Sequence, residues 1–270
     1  MKEGMKLDKK YVYIVIVTVC LILMLLLEFM DISFFSNQLV TLMVKGSLSR
    51  ILGGTAFIII LSRLGYHYFK PFRKPFLGSL LVIIPGLIVA LNNFPIIAYL
   101  DSRAYITEPL YEIYYFAIES FSIGFFEEII FRGVILVVLL QRLPKTRKGA
   151  FLAVVISSAI FGIIHLFNIL AGASIGSTLL QVGYSFLMGM MWAVVFIKTK
   201  NIWMPIILHT TYNFFGMVLF TLGVVNGRYD TFTVISTIVL ALIVASHYLY
   251  LFIKIEPESI ENLYLQEINN

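Results

Sequence analysis

The sequence predicts an all-α, polytopic membrane protein with about eight transmembrane helices. Three observations carry this. Sixty per cent of the 270 residues are hydrophobic and only 13% are charged, about half the ~25% of a soluble domain. With a mean hydropathy of +0.93, the chain has too few charges to cover a water-soluble globule. Eight apolar stretches are long enough to cross a hydrocarbon core, which takes ~20 residues each. The basic residues between them are sorted to one side. A disulfide scaffold is excluded, because Cys20 is the single cysteine. A nucleic-acid partner is excluded as well: the net charge of +5 comes from residues that punctuate apolar runs and form no basic face.

The stretches are residues 11–30, 39–64, 76–100, 109–140, 149–171, 177–197, 202–225 and 231–253. The first is too long for a signal-peptide core, and Glu28 to Asp31 is no small-residue cleavage site, so it reads as an anchor. The second is the weakest, with Lys45 and Arg50 inside it. With the N-terminus in the cytoplasm, fifteen of the twenty lysines and arginines lie on that side. They fall in the N-terminal tail, at Arg63 to Lys74, at Arg142 to Lys148, at Lys198 and Lys200, and at Lys254. Only Arg103 and Arg228 face the other way; Lys45, Arg50 and Arg132 are within spans. This positive-inside bias puts both termini in the cytoplasm. Residues 1–255 read as one transmembrane domain, and 256–270 as a polar, peripheral tail.

Ionisable residues inside spans cost roughly 2.5–3.5 kcal/mol each on insertion scales and so need a partner or a task. The fourth span holds Glu112, Glu119, Glu127, Glu128 and Arg132. Glu112 lies near the outer interface and reads as solvated; Glu119, deeper, reads as bonded to a neighbouring helix or as part of a site. Glu128 and Arg132 are i,i+4 and share a helix face, so they can form an internal ion pair. Glu127 points about 100° away and must find its partner on another helix, whether to clamp the bundle or to do chemistry. In the fifth span, Phe161 precedes His165 by one turn and could fix its imidazole; Asn168, one turn further on, reads as structural. In the seventh, His209 and Asn213 share a face, as an interhelical clasp or as two donors for a developing oxyanion. His67 and His247 read as structural. Together these residues form the inventory for activating a water and stabilising a tetrahedral intermediate. Their depths are compatible with one intramembrane cavity opening to the cytoplasm.

At these residues the sequence resembles the CPBP family of intramembrane proteases, the CAAX-processing endopeptidases and their bacteriocin-processing and immunity relatives. The family motifs EExxxR, FxxxH and HxxxN stand here as Glu127-Glu128…Arg132, Phe161…His165 and His209…Asn213. The resemblance covers the core from Glu119 to Phe215. It implies an endopeptidase that hydrolyses a peptide bond of a membrane-embedded or membrane-associated substrate. Glu127 and His165 would activate water, His209 and Asn213 would bind the oxyanion, and Glu128, Arg132 and Phe161 would support them. It implies no required cofactor; zinc held by Glu127, His165 and His209 with an open fourth position is the alternative. The short connections resemble the bacterial branch and so imply a bacterial plasma membrane. Two other readings of the same residues are a non-catalytic scaffold or immunity protein on this fold and a transporter.

Overall fold

The computed structural model describes residues 9–29, 32–66, 68–69, 76–227, 230–256 and 258. His67 and most of the C-terminal tail, like several basic residues of the charge count (Lys2, Lys6, Lys70, Arg73, Lys74, Arg228), lie outside the described residues. The helices are α1 (Lys9–Phe29), α2 (Gln38–Arg63), α3 (Phe76–Asn92), α4 (Ile96–Leu100), α5 (Glu112–Glu128), α6 (Val137–Arg142), α7 (Arg147–Ile163), α8 (Phe167–Leu170), α9 (Ile175–Thr199), α10 (Trp203–Thr221) and α11 (Thr231–Ile253). A π-helical segment, Ile129–Leu136, joins α5 to α6, and a 3₁₀ turn, Ile164–Leu166, joins α7 to α8. Two short strands, β1 (Ala104–Ile106) and β2 (Gly223–Val225), pair antiparallel.

The chain is an all-α membrane protein apart from that ribbon. Large apolar side chains face outward along whole helices: on α11, Phe232, Leu242 and Ile243 are all more than 60% exposed. Water would not tolerate such a surface, whereas lipid requires it. Four helical stretches, Gln38–Arg63, Arg147–Leu170, Ile175–Thr199 and Thr231–Ile253, are long and apolar enough to cross a membrane by length and composition. Ile14–Leu27 and Leu77–Asn92 are shorter apolar helices. The expected count of eight is not reached by this measure. The shortfall includes the helices with the polar candidate residues: α5 and its continuation carry five charges, and α10 carries His209, Thr210, Thr211 and Asn213.

Two departures from the sequence reading have local causes. The third stretch is two helices, broken at residues 93–95. Pro95 has no N–H to continue the ladder and disfavours helical backbone at Phe94. The helix of the seventh stretch, α10, stops at Thr221, and residues 223–225 form β2 instead. There Gly223 lets the two strands approach so closely that a Cβ would overlap the Tyr105 carbonyl. Within α3, Pro85 interrupts the ladder, and a hydroxyl repairs it. Tyr248 of α11 donates to Val82 O and accepts from Gly86 N, each at 3.1 Å. An inserted side chain of this kind is an established cause of helix bending, and it ties α11 to α3.

Candidate active site

Two helix pairs build the site. α5 packs against α2 and α10, α7 packs against α9, and the π segment bridges α5 to α7. The approach of α5 to α10 depends on Gly124. A Cβ there would stand 2.9 Å from Thr210 Oγ1 and 3.0 Å from Thr210 N. Any larger residue would push the helices apart one turn before the two glutamates. Gly124→Leu is therefore expected to lower the unfolding midpoint in detergent, since overpacking costs about 1–3 kcal/mol. An unchanged midpoint would show that α5 and α10 separate freely.

The π segment follows Glu128 directly. Its i→i+5 bonding is rare and recurs at functional sites. Two of its carbonyls receive side-chain hydroxyls from outside the helix: Ser157 Oγ donates to Phe131 O at 3.1 Å and Tyr68 OH to Gly133 O at 2.5 Å. Arg132, 1% exposed, projects from this segment. Its Nη1 donates to Glu128 Oε1 at 2.7 Å, its Nη2 to Gly189 O at 3.3 Å, and its guanidinium lies 4.5 Å from the Phe161 ring centroid. The i,i+4 pair read from the sequence is present, although the backbone between its partners is wider than the α-helix assumed there.

Glu128 has a second partner that the sequence did not reveal. His209 Nδ1 stands 2.8 Å from the same Glu128 Oε1. A carboxylate bonded to Arg132 can only accept, so Nδ1 carries a proton. Nε2 is then the nitrogen that faces Glu127, whose Oε2 lies 3.8 Å away. Trp192 stacks on the His209 ring with centroids 4.4 Å apart. Phe161 meets both imidazoles edge-on, at 5.3 Å for His165 and 5.8 Å for His209. His165 Nδ1 donates to the Phe161 carbonyl at 2.9 Å, since a carbonyl cannot donate. Its Nε2 is left for the cavity.

A cavity of about 380 Å³ takes in Glu127, Phe161, His165, His209 and Asn213 together, with Glu119, Gln181 and Trp192 among its walls. Asn168 joins the lining and donates to Gln181 Oε1 at 2.8 Å. Along each helix the lining runs one way from Glu127 and the histidines: back to Phe116 on α5, on to Asn168 past α7, back to Gln181 on α9, and on to Thr221 on α10. All four directions lead to the end that carries β1, β2 and residues 171–174. The opposite side is closed by fully buried Arg132, Leu136, Phe196 and Ile197.

Two other carboxylates are resolved. Glu119 pairs with Arg50 of α2 at 3.9 Å, so both intramembrane charges find each other. Glu112 is not solvated as its interfacial position suggested. It is fully buried and accepts from Asn37 Nδ2 at 2.8 Å; Asn37 caps the N-terminus of α2. His247 is exposed and meets Tyr248 edge-on. The contribution of Trp192 had no periodic or motif signal, since only the fold puts it over His209.

Residues 109–215 match the family model for the type II CAAX prenyl endopeptidase Rce1-like group. This segment is similar to that group. It is consistent with the CPBP family of CAAX proteases and supports an enzyme of the intramembrane protease class. The matched segment runs from just before α5 into α10 and contains every residue of the Glu, His and Asn constellation. No curated protein and no solved structure matches the chain at a significant level.

The zinc set that the sequence allows is Glu127, His165 and His209. Among the described residues no three His, Cys, Asp or Glu side chains are grouped to hold a metal ion. His209 donates Nδ1–H to Glu128, and its Nε2 faces the Glu127 carboxylate across 3.8 Å.

Proposed function

We propose that the chain is an intramembrane endopeptidase that hydrolyses a peptide bond of a membrane-associated peptide or protein, with eight membrane crossings and both termini cytoplasmic. The observation that carries this reading is the shared cavity: a carboxylate, two imidazoles with Nε2 inward and a carboxamide line it. Water between Glu127 and His165 loses a proton to one of them as its oxygen attacks the scissile carbonyl carbon. The carbonyl oxygen takes up the electron pair and is met by His209 Nε2 and the Asn213 amide. With Nδ1–H committed to Glu128, His209 donates from Nε2 only when its ring carries both protons; Glu127 and Glu128, on either side of the ring, then offset the two positive charges of the ring and of Arg132. As the intermediate collapses, the stored proton passes to the leaving nitrogen and the C–N bond breaks.

The test is cleavage of a pool of apolar peptides, prenylated and plain, by purified protein, with new termini read by mass spectrometry. Products from the wild type and none from Glu127→Gln are expected. Equal products from both, or none from either, would turn the reading toward a scaffold or immunity role, and ion flux in liposomes would favour a transporter. Asn213→Ala should retain a residual rate, because the loss of one oxyanion donor typically costs ~10²–10³-fold. A rate unchanged within a factor of three would remove Asn213 from the oxyanion site.

This reading needs no metal. Untagged protein dialysed against a strong chelator is expected to keep its full rate. Loss that stoichiometric zinc restores, with about one ion per chain by elemental analysis, would recast Glu127 and both histidines as ligands.

A further inference from the structure

We infer that the cavity holds a second subsite, centred on Glu119 and Ser120 of α5, that takes a lysine or arginine side chain of the substrate roughly three or four residues from the scissile bond. The inference rests on the protease reading for the place of that bond; the binding of the cation does not depend on it. Among the described residues the lining contains two carboxylates, Glu119 and Glu127, and no lysine or arginine. Glu127 is already assigned to water. Glu119 stands eight residues earlier on the same helix, or about 12 Å away at 1.5 Å per residue. An extended peptide covers that span in roughly three or four residues at about 3.4 Å each.

Glu119 is open to a ligand on its cavity side. Arg50 of α2 approaches its Oε1 at 3.9 Å, too far for a hydrogen bond, and Arg50 takes no part in the lining. The Glu119 side chain is 21% exposed. Arg50 thus makes the charge tolerable within the membrane and leaves the carboxylate free to accept charge-assisted hydrogen bonds from an ammonium or guanidinium in the cavity. A second observation is independent of charge. Ser120, 1% exposed, belongs to the same wall, and its Oγ has no hydrogen-bond partner among the described residues. Buried polar atoms are nearly always paired, and a peptide amide or carbonyl lying along α5 completes this one. Asn168 and Gln181, bonded to each other at 2.8 Å in the same lining, supply further groups for an extended backbone.

The test compares apolar peptides with both ends blocked that carry one lysine with twins carrying norleucine at that position. Binding is read by fluorescence anisotropy on purified Glu127→Gln protein, which removes the competing carboxylate, and kcat/KM is read on the wild type. The lysine twin is expected to bind and react about tenfold better, as for a partly exposed charge pair. The preference in kcat/KM should be largest at roughly three or four residues from the cut. Adding Glu119→Gln should erase the preference in both assays. The exchange of Arg50→Glu with Glu119→Lys keeps an ion pair and should turn the preference to a glutamate twin. Equal binding of the lysine and norleucine peptides overturns the inference, and that comparison needs no variant at position 119. So does a preference that survives Glu119→Gln, a folded exchange variant that still favours lysine, or a preference confined to the residues beside the cut, which would belong to Glu127. A norleucine peptide with a free N-terminus that binds as tightly as the lysine twin also overturns it, since the chain end would then be the cation. A lysine preference in binding without any cleavage by the wild type leaves the subsite standing and removes the protease reading instead.

Discussion

Glu127→Ala and His165→Ala are each expected to lower the cleavage rate by ~10²–10⁴-fold, the usual contribution of a positioned acid–base group, while leaving the unfolding midpoint in detergent unchanged. The two side chains meet the conditions for this separation. Glu127 is partly exposed to the cavity and approaches His209 Nε2 at 3.8 Å. His165 is half-buried and holds its neighbour by one bond to a carbonyl that the helix already positions. Removing either exposes no stranded charge. A variant that keeps a rate within tenfold of the wild type would remove that residue from water activation.

Glu128→Ala is expected to behave in the opposite way. Glu128 is fully buried and one of its oxygens serves both Arg132 and His209. Alanine leaves an unpaired guanidinium in the core, for which losses of 3–5 kcal/mol are typical, and frees the ring that Trp192 and Glu128 hold. Poor expression and a lowered midpoint should therefore accompany the loss of activity. Glu128→Gln keeps an acceptor for both donors but not the charge, so it should recover part of the stability. If Glu128→Ala is as stable and well expressed as the wild type, the central position of this carboxylate is refuted.

These two glutamates show how far the sequence could be read. Periodicity identified Glu128 with Arg132 and left Glu127 to look elsewhere, and both statements match the side-chain contacts. It could not show that His209 reaches both carboxylates, because that depends on how closely α10 approaches α5 at Gly124. Glu112 was misplaced for a related reason. An interfacial carboxylate costs little in water, but here the N-terminus of α2 brings Asn37 over it and buries it. The helical segments were legible because apolar runs are bounded by charge. The breaks at Pro95 and after Thr221 were not, because apolar composition continues through them.

The π segment has a consequence for the phase of the helix that contains it. Closing each turn with i→i+5 bonds takes about one more residue than the α-helix uses, so the faces of α5 and α6 are offset by roughly 100°. The face of α5 that presents Glu127 and Glu128 to α10, and the face of α6 that packs toward α7, are aligned by a residue count and by no single side chain. Removing one residue between 129 and 136 would barely alter composition or hydropathy. It would nevertheless turn one of the two faces away from its partner. Length in this segment is thus a stronger constraint on the site than the identity of most of the residues that fill it.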